Sequence, residues 1–97
     1  MLYLREMKAI RWDSRKDEWL RARRRIGFEE IIVKINRGEV LDIVRHYNEK
    51  RYPGQRIFVL EFSDYAYLVP FVESEKEIFL KTVIPSRKAT KRYLRGG

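Results

Sequence analysis

The sequence predicts an α+β domain in the order β-α-α-β-β-β-β-α: two helices packed on one antiparallel sheet, with a short basic helix at the C-terminus. Three observations carry this prediction. Apolar residues recur at helical spacing before Gly38 and alternate with polar ones after it. The later strands are joined by connections too short for crossovers, which makes them antiparallel hairpins. The chain has 97 residues, 44% hydrophobic and 13% aromatic, enough for one core and one domain over residues 1–97.

The elements follow in order. Residues 3 to 12 carry Tyr3, Leu4, Met7, Ile10 and Trp12 among charges, and a short strand is expected around Lys8 to Trp12. Asp13 and Ser14 offer N-cap oxygens, and Asp17 and Glu18 place acids in the first turns of a helix reaching Arg24. Lys16, Trp19, Leu20 and Arg23 share one face of it, half apolar and half cationic. Gly27 is expected to break this helix. Phe28, Ile31, Ile32 and Ile35 define a second one, with Glu29 and Glu30 at its N-terminus and Gly38 as its stop.

Alternation from Val40 to His46 marks a strand, and Pro53-Gly54 in the polar loop Asn48 to Gln55 favours a type II turn. Strands then run from Arg56 to Phe62, Tyr65 to Val72 and Glu77 to Ile84, around Ser63-Asp64 and the acidic turn Glu73-Ser74-Glu75-Lys76. Pro70 calls for a bulge or a locally unpaired position. Ser86 caps a final helix from Arg87 to Arg95. No internal repeat, linker or low-complexity segment is visible.

Charge is the strongest functional signal. Lys and Arg number 22 against 14 acids, giving +8 and a pI near 10.0, an excess that attracts polyanions through a salt-sensitive field. Seven basic residues lie between Arg11 and Arg25, and five (Arg87, Lys88, Lys91, Arg92, Arg95) follow Ser86 without an acid. Together they suit a phosphate-tracking groove if the fold joins them. The alternative is a solvated face balanced by i,i+4 partners such as Asp17 and Arg21.

Several classes fall away. The absence of cysteine excludes disulfides, a thiol nucleophile and Cys-based zinc sites. No metal-ligand spacing, Gly-rich phosphate loop or Ser-His-Asp order is legible, so neither a metal nor any other cofactor is expected. No apolar run approaches transmembrane length, and Met1 to Glu6 lacks the pattern of a signal peptide, so a cytoplasmic protein with no membrane partner is expected.

Metal-free RNA cleavage stays open, because the 2′-OH is an internal nucleophile beside the scissile phosphate. A protein must remove its proton, protonate the leaving 5′-oxygen and stabilise charge on the phosphorane. By residue type, Arg87 and Lys88 suit the phosphate, and His46 or Tyr67 suits proton transfer. Lys16, Arg23, Arg24, Arg56, Lys81, Lys91 and Arg92 suit the RNA backbone. A lone His at a strand end also serves structure. Tyr65, Tyr67, Phe71 and Phe79 are candidates for base stacking, although alternating aromatics in sheets belong to cores.

Trp12-Asp13-Ser14-Arg15-Lys16, followed sixteen residues after the Trp by Phe28-Glu29-Glu30, resembles the opening of BrnT-family toxins. Ile84-Pro85-Ser86-Arg87-Lys88-Ala89-Thr90 is similar to the family's closing Ile-Ser-Ala-Arg-Arg-Ala-Thr stretch, and the Arg56-Ile57-Phe58-Val59 and Tyr67-Leu68-Val69 strands also fit. The resemblance covers residues 10 to 94. It implies a RelE-like fold and a ribonuclease toxin of a type II toxin–antitoxin system. Its partners would be RNA and a BrnA-like antitoxin, with DNA met only through the antitoxin complex. Within the matched pattern Lys16 and Arg87 are the functional candidates, and Trp12 and Phe28 the structural ones. Where the family often has Asn and Lys-His, at eight, eleven and twelve residues after the Trp, this chain has Leu20, Arg23 and Arg24. The other two readings are a non-catalytic nucleic-acid binder and a module whose basic surface receives an acidic protein.

Overall fold

In the computed structural model, described for residues 8–96, each helix start is fixed by a hydrogen bond that the sequence supplies locally. Strand β1 (Ala9–Trp12) leads into α1 (Ser14–Arg24), whose Asp13 cap accepts the Arg15 N–H at 2.8 Å. Helix α1 ends with Arg25 in the left-handed region at φ 59, and Gly27 is extended, at the entrance to the next helix rather than at the break. Helix α2 (Phe28–Asn36) has no capping side chain at Gly27. Instead Asp17 of α1 accepts the Phe28 N–H at 2.8 Å, and Glu30 accepts the Gly27 N–H at 3.0 Å. Gly38 closes α2 as expected. At φ 74 it lets its own N–H reach the Ile35 carbonyl and the Glu39 N–H reach that of Lys34.

Strands β2 (Asp42–Arg45), β3 (Arg56–Phe62), β4 (Tyr65–Glu73) and β5 (Glu77–Leu80) follow, then the two-residue β6 (Ile84–Pro85) and α3 (Arg87–Leu94). The β2–β3 loop contains the expected turn, with Gly54 at φ 76 and the Gln55 N–H bonded to the Tyr52 carbonyl at 3.3 Å. Ser63 and Asp64 both have positive φ, the two-residue turn whose twist matches paired strands.

Three expectations are corrected. First, the sheet is mixed, not antiparallel: its order is β1-β5-β4-β3-β2, and β1 pairs β5 in parallel, Ala9 to Glu77 through Trp12 to Leu80. Short hairpins fix only the directions of consecutive strands, and β1 reaches the far edge through the helical crossover. Second, the strand expected from Glu77 to Ile84 divides at Lys81–Val83, so that β5 and β6 pair with different parts of β4. Third, the second strand covers Asp42–Arg45 rather than Val40 to His46. Tyr3, Leu4, Met7 and the Met1 to Glu6 segment lie outside the described residues.

Pro70 fits the gap between β5 and β6. Its register with Ile57 of β3 is unbroken, so there is no bulge. Its carbonyl accepts the Lys81 N–H at 2.8 Å on the other edge, where β4 has passed β6 and not yet met β5. The N–H that proline lacks would have met the Lys81 carbonyl on that edge, so a single reciprocal bond is forgone just past the end of β5, where the ladder stops.

Strand alternation sorts the side chains into two faces. On one, α1 and α2 bury Leu20, Phe28, Ile31 and Ile35 against Phe58, Leu60, Val69, Phe71, Ile78 and Leu80. Trp12 lies 6.0 Å from Phe28 in this layer, and Phe58 stacks on Phe71 at 4.1 Å. On the other, Ala89, Tyr93 and Leu94 of α3 pack on Val44, Val59, Ala66 and Leu68. The C-terminal helix therefore forms a third layer, across the sheet from the first two helices.

Candidate nucleic-acid interface

The two basic clusters end up on opposite sides of the sheet, so they do not form one groove. On α1, Lys16, Arg23 and Arg24 gather around the half-exposed Trp19, 4.9, 5.4 and 5.4 Å from its ring centroid. Arg21 of the same helix takes the nearby acids, at 3.1 Å from Asp17, 3.2 Å from Glu29 and 3.6 Å from Glu30. These neighbours hold its guanidinium above the usual range, the Asp17 hydrogen bond contributing most.

The face covered by α3 is concave. Two adjoining pockets of about 210 and 270 Å³ share Tyr47 as a wall. The first is lined by His46, Tyr52, Gln55, Pro70, Lys81, Thr82 and Ile84. The second has a floor of Val44, Val59 and Leu68 below Ser86, Lys88, Ala89, Arg92 and Tyr93. No carboxylate lines either pocket among the described residues, whereas a third, of about 340 Å³ beside α2, has Glu29, Glu30 and Glu39 in its wall. Lysine and arginine in an acid-free concavity raise the local positive potential and favour a phosphate-bearing ligand.

Helix α3 is held in place from both ends. The Ser86 hydroxyl accepts the Ala89 N–H at 3.0 Å, and Thr90 Oγ1 accepts the Ala66 N–H of β4 at 2.8 Å while donating to the Ser86 carbonyl. At the far end the Tyr93 hydroxyl donates to Asp42 of β2 at 2.6 Å. That hydrogen bond, with burial and the Asp42 charge behind it, raises the phenol above its ordinary value.

Of the residues chosen from sequence, His46, Lys81, Lys88 and Arg92 line this groove. Arg87 and Lys91 are exposed on α3 and line neither pocket. Arg87, Lys88, Lys91 and Arg92 make no ion pair among the described residues, while Arg95 pairs with Asp64 at 3.2 Å.

Tyr67 is a correction. It faces the α1–α2 layer, edge-on to Phe62 and Tyr65 at 5.9 Å each, across the sheet from His46. An odd-numbered residue of β4 cannot share a face with Leu68. Arg56 also leaves the groove: it pairs with Glu73 and lies 5.3 Å over Phe71 on the helix-covered face. Phe71 is core, and Phe79 sits half-buried on the side of the sheet away from α1 and α2.

His46 is buried, with 7% of its surface exposed. Its Nδ1 accepts the Asn48 N–H at 3.0 Å, so the neutral ring carries its proton on Nε2, which can donate a hydrogen bond into the groove. The ring packs on Tyr47 and Tyr52 at 4.5 and 4.4 Å. Sequence reasoning missed Tyr47, Tyr52, Gln55 and Thr82. The available signal was two tyrosines flanking a polar loop beside the chain's one histidine.

Among the described residues no three His, Cys, Asp or Glu side chains gather into a group able to hold a metal ion, and no helix is long and apolar enough to cross a membrane. Comparison with protein-family models, curated proteins and solved structures gives no match for this chain.

Proposed function

We propose that this protein binds RNA in the groove beneath α3 and cleaves it without a metal, as the RelE-like toxin of a type II toxin–antitoxin pair. The acid-free groove that joins Lys88 and Arg92 to Lys81 and His46 carries the reading. The likeness of its terminal motifs to BrnT-family toxins supplies the biological setting. In this scheme Lys88 and Arg92 hold the phosphate and Arg87 adds positive potential at the start of α3. Lys81 exchanges protons with the reacting oxygens, and the His46 Nε2–H donates a hydrogen bond to the phosphate beside it. The 2′-oxygen attacks phosphorus as its proton leaves, the bond to the 5′-oxygen breaks, and that oxygen takes up a proton. The products are a 2′,3′-cyclic phosphate and a 5′-hydroxyl. A BrnA-like antitoxin silences the protein by covering the same groove, and DNA is reached only through that complex.

The burial of His46 among tyrosines favours a second reading, in which the groove binds nucleic acid without cleaving it. Labelled RNA incubated with purified protein and EDTA separates the two. Fragments ending in cyclic phosphate, lost in Lys81→Ala and reduced in Arg87→Ala, support the ribonuclease. Retention that weakens with salt, with the RNA intact, supports the binder. Growth inhibition on induction that Arg87→Ala relieves, in a folded variant, supports the toxin. Undiminished toxicity removes Arg87 from the mechanism.

A further inference from the structure

We infer that the groove takes an unpaired nucleobase, stacked on the free ring surface of Tyr47, with its phosphate on Lys88 and Arg92. The inference rests on the proposal that the groove binds RNA, and it narrows the ligand to single strands. Tyr47 is 80% exposed, the most exposed large apolar side chain among those described, yet it is not an isolated ring. It packs on His46, His46 packs on Tyr52, and the Arg51 guanidinium lies 5.6 Å from the Tyr52 ring. This row of tilted rings is backed by a cation at one end and ends in solvent at Tyr47.

That ring forms a wall of the pocket floored by Val44, Val59 and Leu68. Apolar floor, aromatic wall and cationic rim are the parts that hold a base and its phosphate together in single-strand recognition. A paired base has both faces stacked and its edge occupied, so a duplex offers this pocket only its backbone. Because Tyr47 contributes little to the core, truncating it tests binding without unfolding the chain.

The test uses a fluorescent 2′-O-methyl oligoribonucleotide, which lacks the nucleophile and stays intact. Its affinity is measured as a single strand, as a duplex, and with one abasic position scanned along it. Single strands are expected to bind more tightly than the duplex. Tyr47→Ala is expected to weaken single-strand binding about tenfold, the scale of one stacked base, with Tyr47→Phe close to wild type. One abasic position should cost a similar factor in wild type and little in Tyr47→Ala. If Lys88→Ala and Arg92→Ala weaken binding but Tyr47→Ala stays within twofold, or if duplex and single strand bind alike, the base site is wrong and the RNA groove stands. No RNA binding at all overturns both. If Tyr47→Ala abolishes capture of an acidic, leucine-containing peptide and leaves RNA binding unchanged, the groove belongs to a protein partner and the inference fails.

Discussion

Thr90→Val tests whether α3, and the groove it roofs, is held by one buried hydroxyl. Thr90 is 5% exposed and Ala66 fully buried. The Ala66 N–H has passed the end of β6, whose last pairing is Tyr67 with Pro85, and Thr90 Oγ1 at 2.8 Å stands in for the missing strand. Valine keeps the shape and removes the acceptor, so the main cost is an unsatisfied buried donor, about 1–3 kcal/mol. The Ser86 carbonyl keeps the Thr90 N–H at 3.0 Å and loses only its second donor. In a chain of 97 residues this lowers Tm by roughly 5–20 °C. Thr90→Ser keeps the hydroxyl and loses one buried methyl, about 1 kcal/mol. Thermal unfolding should therefore rank threonine above serine and serine above valine. Amide exchange at Ala66 should accelerate in the valine variant and not in the serine one. A valine variant as stable as wild type, with serine the least stable, would mean that packing holds the helix and the reasoning is wrong.

Two further outcomes follow from the same structure. Burial pushes the Glu73 carboxyl up, but hydrogen bonds and charge from Lys8 and Arg56 outweigh it and leave it below its usual range. A depressed carboxylate adds stability above its unfolded pKa and loses it as pH falls through the folded one. Glu73→Gln should cost about 1 kcal/mol at pH 7, discounted for partial exposure, and flatten the acid side of a urea-unfolding pH profile. Parallel profiles would refute this. Asp17→Ala leaves Arg21 to Glu29 and Glu30 alone and takes the acceptor from the Phe28 N–H. The loss should be about 1–2 kcal/mol, with coupling to Arg21→Ala in a double-mutant cycle, and additivity would show that the two contacts are independent.

Much of the fold is written in local pattern. Asp13, Ser86 and Gly38 fix helix ends through bonds within a few residues, and Phe28, Ile31 and Ile35 declare a buried stripe by spacing. Pro53-Gly54 fixes a turn for the same reason, since proline presets its own φ and glycine accepts the positive one. Strand β3 begins and ends where its continuous apolar run and the flanking turns place it.

What the sequence could not assign is partnership between distant segments. Nothing in Ala9–Trp12 specifies that it joins β5 in parallel, because its partner Glu77–Leu80 lies far along the chain. Two basic clusters look like one signal in a linear chain, and only the sheet between α1 and α3 separates them. Tyr67 and His46 were equal candidates by residue type until strand parity put them on opposite faces. By itself the sequence determined the charge, the helix caps and the turns, each a matter of composition or of neighbours along the chain. The tertiary structure decided which cations meet the histidine, because that depends on pairings between residues many positions apart.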